Sequence, residues 1–410
     1  MARTRKMVVL GTLVGIFAAG LILLLMGRRA VLDIDTEPTG AVLPEASRPM
    51  NEVVLHYVPE AYPLVEDAYT DFLRALPTSV RVVLVVPRGM SPSQQRQLQE
   101  RLAAIDPSLP TRIQKAEAEG PITTWSKDRA LVTTPPRPGA AARLLVPAEP
   151  SKTWRQRYND WSTPAAIAAA SAGRYEVRVA PIDFDAGDFA IEDGTVIVDT
   201  NLLAKNRHRG IGNVIELRKR VSAWLEMPVV VLGQEPGDTP RHHLAMYMAP
   251  LGGKVALVGD PRWARTLVGD AFEPGELSVE TGEPLRADFS EAMTLRFERA
   301  ADDLRRHGYQ VVRIPNVPFD HKTYVSYTNG VFEVRDSRRI AYVPVYEIEA
   351  LDHAARDVYE ELGWEVRAIR VRSAYAHHGT IGCLVNVLGR GAGPEVAFRS
   401  PDPGIEVAGR

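Results

Sequence analysis

The sequence contains a loose internal repeat, which limits the folds that are open to this chain. Gly173, Gly308 and Gly363 each follow a predicted helix and each open an alternating, strand-like segment. Before two of those helices, the segments KVALVGDP and RRIAYVPVY predict another strand that ends in a turn. Each unit therefore has the order strand, strand, helix, strand. Because units of this kind cannot bury their apolar faces alone, they predict one α/β domain in which several repeats pack together.

Runs of β-branched residues alternate with amphipathic runs from residue 51 to residue 388, which we predict to be the main domain. The predicted strands are 53–58, 80–86, 195–198, 229–232, 255–258 and 340–345. The predicted helices are 91–105, 211–225, 290–306 and 348–362. Residues 30–50 predict a linker, and residues 389–410 predict a tail rich in glycine and proline.

One uncharged apolar run lies near the start of the chain, at residues 7–26. Twenty helical residues span about 30 Å, the thickness of a bilayer core. The run is longer than the apolar part of a typical secretory signal, so it predicts an uncleaved transmembrane helix within residues 1–29. Three basic residues precede it, whereas Arg28 and Arg29 follow it. The positive-inside rule then predicts a cytoplasmic N-terminus at a bacterial inner membrane, with the main domain outside the cytoplasm.

The charge balance excludes one large class of partners. The chain has 49 basic and 51 acidic residues and a net charge of −2, whereas bulk binding to nucleic acid usually requires an excess of basic residues. We therefore expect no nucleic-acid partner. Cys383 is the single cysteine of the chain, so an intramolecular disulfide cannot form.

Cys383 is the first candidate for a chemical role. A single cysteine is most often a small, buried, apolar residue. Here Gly379 precedes it in a turn and Gly382 lies directly before it, and small residues allow a substrate to approach a sulfur atom closely. A nucleophilic cysteine also requires a histidine, and usually an acid, from elsewhere in the fold.

Histidine candidates are few, because four of the nine histidines occur as two pairs. His243, in the first pair with His242, opens an alternating segment. It is predicted to lie either at a strand start facing a cleft or in a solvated turn. The second pair is His377 and His378. The spacing of these residues fits no common zinc site, so we expect no metal and no cofactor.

Acidic residues cluster at two places. Asp128 closely follows Trp125, and Asp185 and Asp188 lie in an acidic loop that also contains two phenylalanines. Such a loop is usually solvated. A carboxylate beside apolar surface must instead be paired or shifted in pKa. A planar, cationic guanidinium would supply that pairing through two hydrogen bonds.

In this order, the segments resemble those of the agmatine deiminases and bacterial protein-arginine deiminases of the pentein superfamily. Trp125-Ser-Lys-Asp128 is similar to Trp-x-x-Asp, and Asp185-Ala-Gly-Asp188 to Glu-Gly-Gly-Asn. His243-Leu-Ala245 is similar to His-x-Asp, and Ser326-Tyr-Thr-Asn329 to Ser-Tyr-x-Asn. Gly379-Thr-Ile-Gly-Cys383 is similar to the terminal Gly-x-x-His-Cys. The resemblance covers roughly residues 50–388.

This resemblance implies a five-bladed α/β propeller of ββαβ units with the site at its axis. It implies that Cys383 is the nucleophile, that His243 carries protons and that Asp185 partners the histidine. The implied substrate is a guanidine, as a small molecule or a protein arginine. The residues predicted to bind it are Asp128, Trp125, Asn329 and Asp188. The implied reaction is C–N hydrolysis through a covalent thiouronium, without a cofactor.

Three positions depart from the family pattern. Ala245 replaces an aspartate that helps to hold the guanidinium, Gly382 replaces a common histidine, and Asp185 replaces a longer glutamate. Two alternatives therefore stay open beside hydrolysis. One is a degenerate member that binds a ligand at the envelope without turnover, and the other is an amidinotransferase. The retained cysteine, histidine and Asp128 favour retained chemistry.

Overall fold

Five β-sheets organise the part of the chain that the computed structural model describes, namely residues 39–149, 158–192, 194–320 and 322–391. Each sheet contains two parallel strands joined by a connection that includes a helix. A further strand pairs antiparallel with the first of these two. The strand, strand, helix, strand order predicted from the sequence is therefore confirmed.

The first sheet begins with three parallel strands. They are β1 (Met50–His56), β2 (Arg81–Pro87) and β3 (Ile113–Ala118). The helices between them are α1 (Tyr62–Ala75), α2 (Pro92–Ile105) and α3 (Leu109–Arg112). The predicted start of α2 is confirmed, because the Ser91 side chain and Gln94 form a reciprocal cap.

The second and third sheets follow directly. The second contains β4 (Leu131–Val132), β5 (Ala142–Val146), α4 (Thr163–Ala170) and β6 (Tyr175–Val179). The third contains β7 (Ala190–Glu192), β8 (Thr195–Asp199), α5 (Thr200–Asn206), α6 (Val214–Leu225) and β9 (Val229–Leu232).

The fourth and fifth sheets complete the chain, whose last strand returns to the first sheet. The fourth contains β10 (Met248–Gly252), β11 (Val255–Asp260), α7 (Pro261–Val268), α8 (Glu291–Arg306), β12 (Gln310–Pro318) and β13 (Tyr324–Ser326). The fifth contains β14 (Val331–Arg335), β15 (Arg338–Val345), α9 (Glu349–Glu361) and β16 (Trp364–Arg370). After α10 (Ile381–Leu384), β17 (Asn386–Arg390) pairs antiparallel with β1. The two ends of the domain are thus joined in one sheet.

The predicted strands and helices are all present, with ends that differ by a few residues. One placement is wrong: His243 does not lie at a strand start, because a short 3₁₀ helix follows it and β10 begins only at Met248. At the domain edges, β1 begins at Met50 and β17 ends at Arg390. Within the described residues, no helix has the length and apolarity that a membrane crossing requires. The predicted transmembrane segment, residues 7–26, lies outside them.

A buried histidine in β1 helps to fix the connection that follows β3. The Nδ1–H of His56 donates to the carbonyl oxygen of Thr123 at 2.8 Å, and the amide N–H of Thr123 donates to Asp160 at 2.7 Å. His56 is fully buried, and its Nε2 has no hydrogen-bond partner among the described residues. Burial, partly opposed by Asp160, lowers the pKa of His56 to about 4. The neutral ring is therefore part of the folded state.

This pKa predicts how stability responds to acid. The folded pKa of His56 lies below the unfolded value of 6.5, so its contribution is complete above pH 6.5 and is lost as the pH falls towards 4. The loss amounts to about 3 kcal/mol of the free energy of unfolding. We expect the stability difference between wild type and His56→Asn, measured by urea unfolding, to shrink by that amount from pH 7 to about pH 4. Parallel pH profiles for the two proteins would contradict the assignment.

Candidate active site

The connections that lead from one sheet to the next supply all of the predicted site residues. In chain order, these residues are Trp125 and Asp128 after β3, Asp185 and Asp188 after β6, His243 after β9, Asn329 after β13, and Cys383 after β16. Four of the connections contain short helical turns: Lys127–Arg129, Ala186–Asp188, Leu244–Met246 and α10. A repeated fold thus contributes to the site from each of its sheets.

His243 lies between two carboxylates. Its Nδ1 is 3.6 Å from Asp128 Oδ1, and its Nε2 is 3.8 Å from Asp185 Oδ2. Burial alone would favour the neutral ring, but Asp128, Asp185 and Cys383 together raise the pKa of His243 well above its usual value. The imidazolium form therefore prevails at neutral pH, which suits a group that must donate a proton.

Cys383 is buried, with 4% of its surface exposed, and lies within α10. The side-chain amide of Asn329 donates to Cys383 Sγ at 3.1 Å. Cys383 also contributes to the raised pKa of His243, so the sulfur and the imidazole belong to one site.

The ring of His243 is held by close packing on both sides. A Cβ atom at Gly187 would lie 2.5 Å from the Cγ and Nδ1 atoms of His243, so only glycine fits beneath the ring. On the other side, His242 stacks on it with ring centroids 4.0 Å apart. His242 is fixed in turn, because its Nε2 hydrogen-bonds to the carbonyl oxygen of His378 at 2.8 Å.

Asp185 and Asp188 are joined by Lys205, a residue that the sequence analysis did not select. The Nζ atom of Lys205 lies 2.8 Å from Asp185 Oδ2 and 2.6 Å from Asp188 Oδ2. Ligand atoms of Asp185, Asp188 and His243 lie within 4.8 Å of one another, a grouping that could hold a metal ion. Since the ammonium group already lies against both carboxylates, we interpret this group as an ion-pair cluster.

Aromatic packing explains why the acidic loop is buried and not solvated. Phe184 and Phe189, which alternate with the acids, pack against Trp224 of α6 with ring centroids 5.7 and 6.2 Å away. Their burial turns Asp185 and Asp188 to the opposite side of the loop, where both are almost fully buried. The two phenylalanines were therefore the informative signal in this segment.

A small cavity of about 50 Å³ lies beside the cysteine. Its lining includes Cys383, His243, Ala245, Asn329 and Gly187. This volume corresponds to a few water-sized positions. Residues 42–45, which precede β1, also line it and are hydrogen-bonded to β4 and β7.

Comparisons with known proteins identify the fold. No family model and no curated protein matches the sequence. An agmatine deiminase from C. jejuni has a similar structure at 15% identity, with a TM-score of 0.58 over 84% of this chain and 94% of its own. The agmatine deiminase of Enterococcus faecalis matches at 14% identity and a TM-score of 0.57, over 85% and 95%. A protein assigned as a peptidyl-arginine deiminase matches at 13% identity and a TM-score of 0.61, over 86% and 99%.

The chain has the pentein fold of these deiminases. The resemblance inferred from five short segments is thereby confirmed at the level of the fold, although the identities are low.

Two departures from the pentein pattern have local explanations. A Cβ atom at position 382 would lie 2.1 Å from Asn329 Oδ1, so Gly382 is required once Asn329 occupies that space. Ala245 is half-buried, lines the cavity, and accepts a hydrogen bond at its carbonyl oxygen from Thr328 at 2.7 Å. Its backbone is thus held in place while its methyl group leaves the cavity without a carboxylate at that point.

Gly187 and Lys205 were not predicted from the sequence, and they differ in whether a local sequence pattern could have indicated them. Gly187 lies inside a segment that was singled out, and a glycine between two buried acids is itself a hint of close packing. Lys205 lies in an ordinary-looking helix, seventeen positions after Asp188. No local pattern could have linked that lysine to the acids, because the contact depends on how α5 packs.

The packing of His243 on Gly187 predicts a large effect from one methyl group. Gly187→Ala should displace the imidazole from Cys383 and slow alkylation of the thiol by iodoacetamide by at least about tenfold at neutral pH. Because Cys383 is the only cysteine, labelling of the whole protein reports on this site. The matched control is Gly212→Ala, at an exposed glycine with negative φ, which should react like wild type. Equal rates for both variants would show that the ring position does not depend on Gly187.

Proposed function

We propose that this protein is a guanidine-modifying hydrolase of the agmatine or peptidyl-arginine deiminase type. The observation that carries the proposal is that Cys383 and His243 line one cavity of a pentein fold, with Asp128 3.6 Å from the His243 ring. A buried thiol beside an imidazolium is a reactive arrangement. The Asp128 carboxylate beside the imidazole provides an acceptor for a flat cation.

In the first step of the proposed reaction, the Cys383 thiolate attacks the central carbon of the guanidinium. The C–N bond to the leaving group breaks, and His243 donates its proton to the departing nitrogen. The product of this step is a thiouronium bonded to Cys383 Sγ, together with free ammonia or an amine. Asn329, which donates to the same sulfur, holds the thiolate in place before attack.

In the second step, His243, now neutral, takes a proton from a water molecule. The hydroxide adds to the thiouronium carbon and the S–C bond breaks, which releases a ureido product and restores the thiolate. Asp128 remains at Nδ1 of the ring and stabilises each imidazolium that forms. The cycle requires no cofactor.

Ala245 and the narrow cavity support a second candidate, a pentein-fold protein that binds a ligand without turnover. A guanidinium held by Asp128 alone is less firmly oriented than one held by two carboxylates. The two candidates differ at the thiol: a hydrolase needs a Cys383 that alkylates much faster than a model thiol and is protected by a guanidine. A slow, unprotected thiol would favour the binding protein.

We further propose that the five sheets are the blades of a propeller around this cavity. The pairing of β17 with β1 supports a closed ring of sheets. The convergence of the inter-sheet connections at one cavity supports an axial site.

The central test of the hydrolase is product release. Cys383→Ser should abolish release of ammonia or amine from agmatine and from arginine peptides, because a hydroxyl is not ionised at neutral pH. His243→Gln should lower the rate by at least about a hundredfold, because proton transfer in both steps is lost. The matched control His353→Gln, at an exposed position of α9, should keep wild-type activity. Turnover by the serine variant would rule out this mechanism, and addition of an amine acceptor would reveal any amidino transfer.

We also propose that residues 7–26 anchor the protein in a bacterial inner membrane, with the main domain outside the cytoplasm. The uncharged length of this segment supports the anchor. The full chain should sediment with membranes and resist alkaline carbonate, whereas a chain that lacks residues 1–29 should be released. Added protease should reach the main domain from the outer side of spheroplasts. Release of the full chain by carbonate would contradict the anchor.

A further inference from the structure

Lys205 is a basic group in direct contact with two acids of the site, Asp185 and Asp188. Its Nζ atom contacts one oxygen of Asp185 and both oxygens of Asp188, at 2.6 to 2.8 Å. The Lys205 side chain is 30% exposed, while those of Asp185 and Asp188 are 10% and 1% exposed. The lysine thus reaches from the edge of the site into a buried pair of carboxylates.

The position of Lys205 is fixed by its own helix. The neighbouring Asn206 side chain exchanges two hydrogen bonds with the backbone of Asp183, at 2.8 and 2.7 Å, and so ties α5 to the acidic loop. On the loop, the amide N–H of Asp185 donates to Asp188 at 2.8 Å. The lysine, the acidic loop and the two carboxylates are therefore held together by several hydrogen bonds, unlike an isolated ion pair at the surface.

This unit acts on His243 through Asp185. One oxygen, Asp185 Oδ2, lies 2.8 Å from Lys205 Nζ and 3.8 Å from His243 Nε2. The same carboxylate is thus shared between the ammonium group and the imidazole.

We propose that Lys205 is a positioning residue of the proposed hydrolase, which holds Asp185 against His243 and sets the pH at which Cys383 becomes reactive. The inference rests on the proposed function for the identity of the nucleophile. Lys205 contacts Asp185, which in turn faces His243, so its influence on Cys383 passes through the acids and the imidazole.

The effect of removing the Lys205 charge depends on the other titratable groups that face His243 and Cys383. The acids are Asp128 from the connection after β3, and Asp185 and Asp188 from the connection after β6. Other titratable groups are Lys205 of α5, the hydroxyl of Tyr346, which interacts with Cys383, and the stacked ring of His242, which hydrogen-bonds to His378. Burial, followed by the nearby His243, lowers the pKa of His242 well below its usual value, so that ring is neutral. Lys205 is protonated, because Asp185 and Asp188 outweigh burial and raise its pKa.

The sign of the effect follows from this balance. Removal of one positive charge makes the field at His243 and Cys383 more negative, and a more negative field favours every protonated form. The thiol of Cys383 and the imidazole of His243 lose their protons in two coupled steps, and both deprotonation steps then occur at higher pH. The thiolate that reacts with an alkylating reagent therefore emerges at higher pH.

The test is the rate of Cys383 alkylation by iodoacetamide as a function of pH, in the full chain and without substrate. We expect Lys205→Met to raise the midpoint of the profile by about one pH unit. Lys205→Arg, which keeps the charge, should restore the wild-type midpoint. The double variant Lys205→Met/Asp188→Asn, which removes one charge of each sign, should also return the midpoint towards wild type. The matched control is Lys254→Met. The Nζ atom of Lys254 lies 3.6 Å from Oε2 of Glu192, so this variant removes a paired lysine that is not in contact with Asp185 or Asp188.

Each outcome either supports or overturns the proposed role of Lys205. A midpoint for Lys205→Met that equals the midpoint of Lys254→Met overturns it, and so does an arginine variant that behaves like methionine. If Lys205→Met fails to fold, the arginine and double variants carry the same comparison, and a double variant with an elevated midpoint overturns the charge argument. Absence of turnover on any guanidine would contradict the hydrolase but leave the alkylation midpoints intact. The two failures are therefore distinguishable.

Discussion

The burial of unlike charges in one cluster is the constraint on which the rest of this site depends. Three carboxylates, those of Asp128, Asp185 and Asp188, are almost fully buried, and a buried carboxylate persists in its charged form only when cations or donors lie against it. His243 and Lys205 supply those cations. The charged imidazole that the proposed reaction requires is thus also favoured by the burial of these acids in the folded state.

The inter-sheet connections are held together by bonds from side chains to backbone. Ser126 Oγ donates to the carbonyl of Leu384 at 2.7 Å, which links the Asp128 connection to that of the cysteine. Thr380 Oγ1 donates to the carbonyl of Asn329 at 2.9 Å, and Thr328 Oγ1 donates to that of Ala245 at 2.7 Å. A backbone carbonyl accepts such a bond whatever side chain its residue carries. The connection at position 245 is therefore held in place although the residue there is alanine and not an aspartate.

The sequence predicted what depends on local pattern and failed where packing between distant segments decides. Gly308 and Gly363 mark the ends of helices, and the repeat they belong to is present in the structure. The order of the short segments placed Cys383 and Asn329 on one site, and the 3.1 Å contact between them agrees with that placement. For His243, the alternating pattern left a strand start and a solvated turn open, and the residue instead lies buried ahead of a 3₁₀ helix because packing between distant segments decides its place. Lys205 was missed because its role depends on the packing of α5.

Ala245 and Lys205 together change how the site attracts a cation. Ala245 removes one carboxylate that the family pattern places beside the guanidinium, and Lys205 engages oxygens of two others. In the proposed hydrolase, recognition of a guanidinium would then depend on Asp128 and on the cavity beside Cys383, which Met248 and Phe189 also line. Electrostatic attraction falls with each neutralised acid, so shape and apolar contact would carry a larger share of recognition. The proposed site would therefore discriminate by the substituents around the guanidine carbon more than by positive charge.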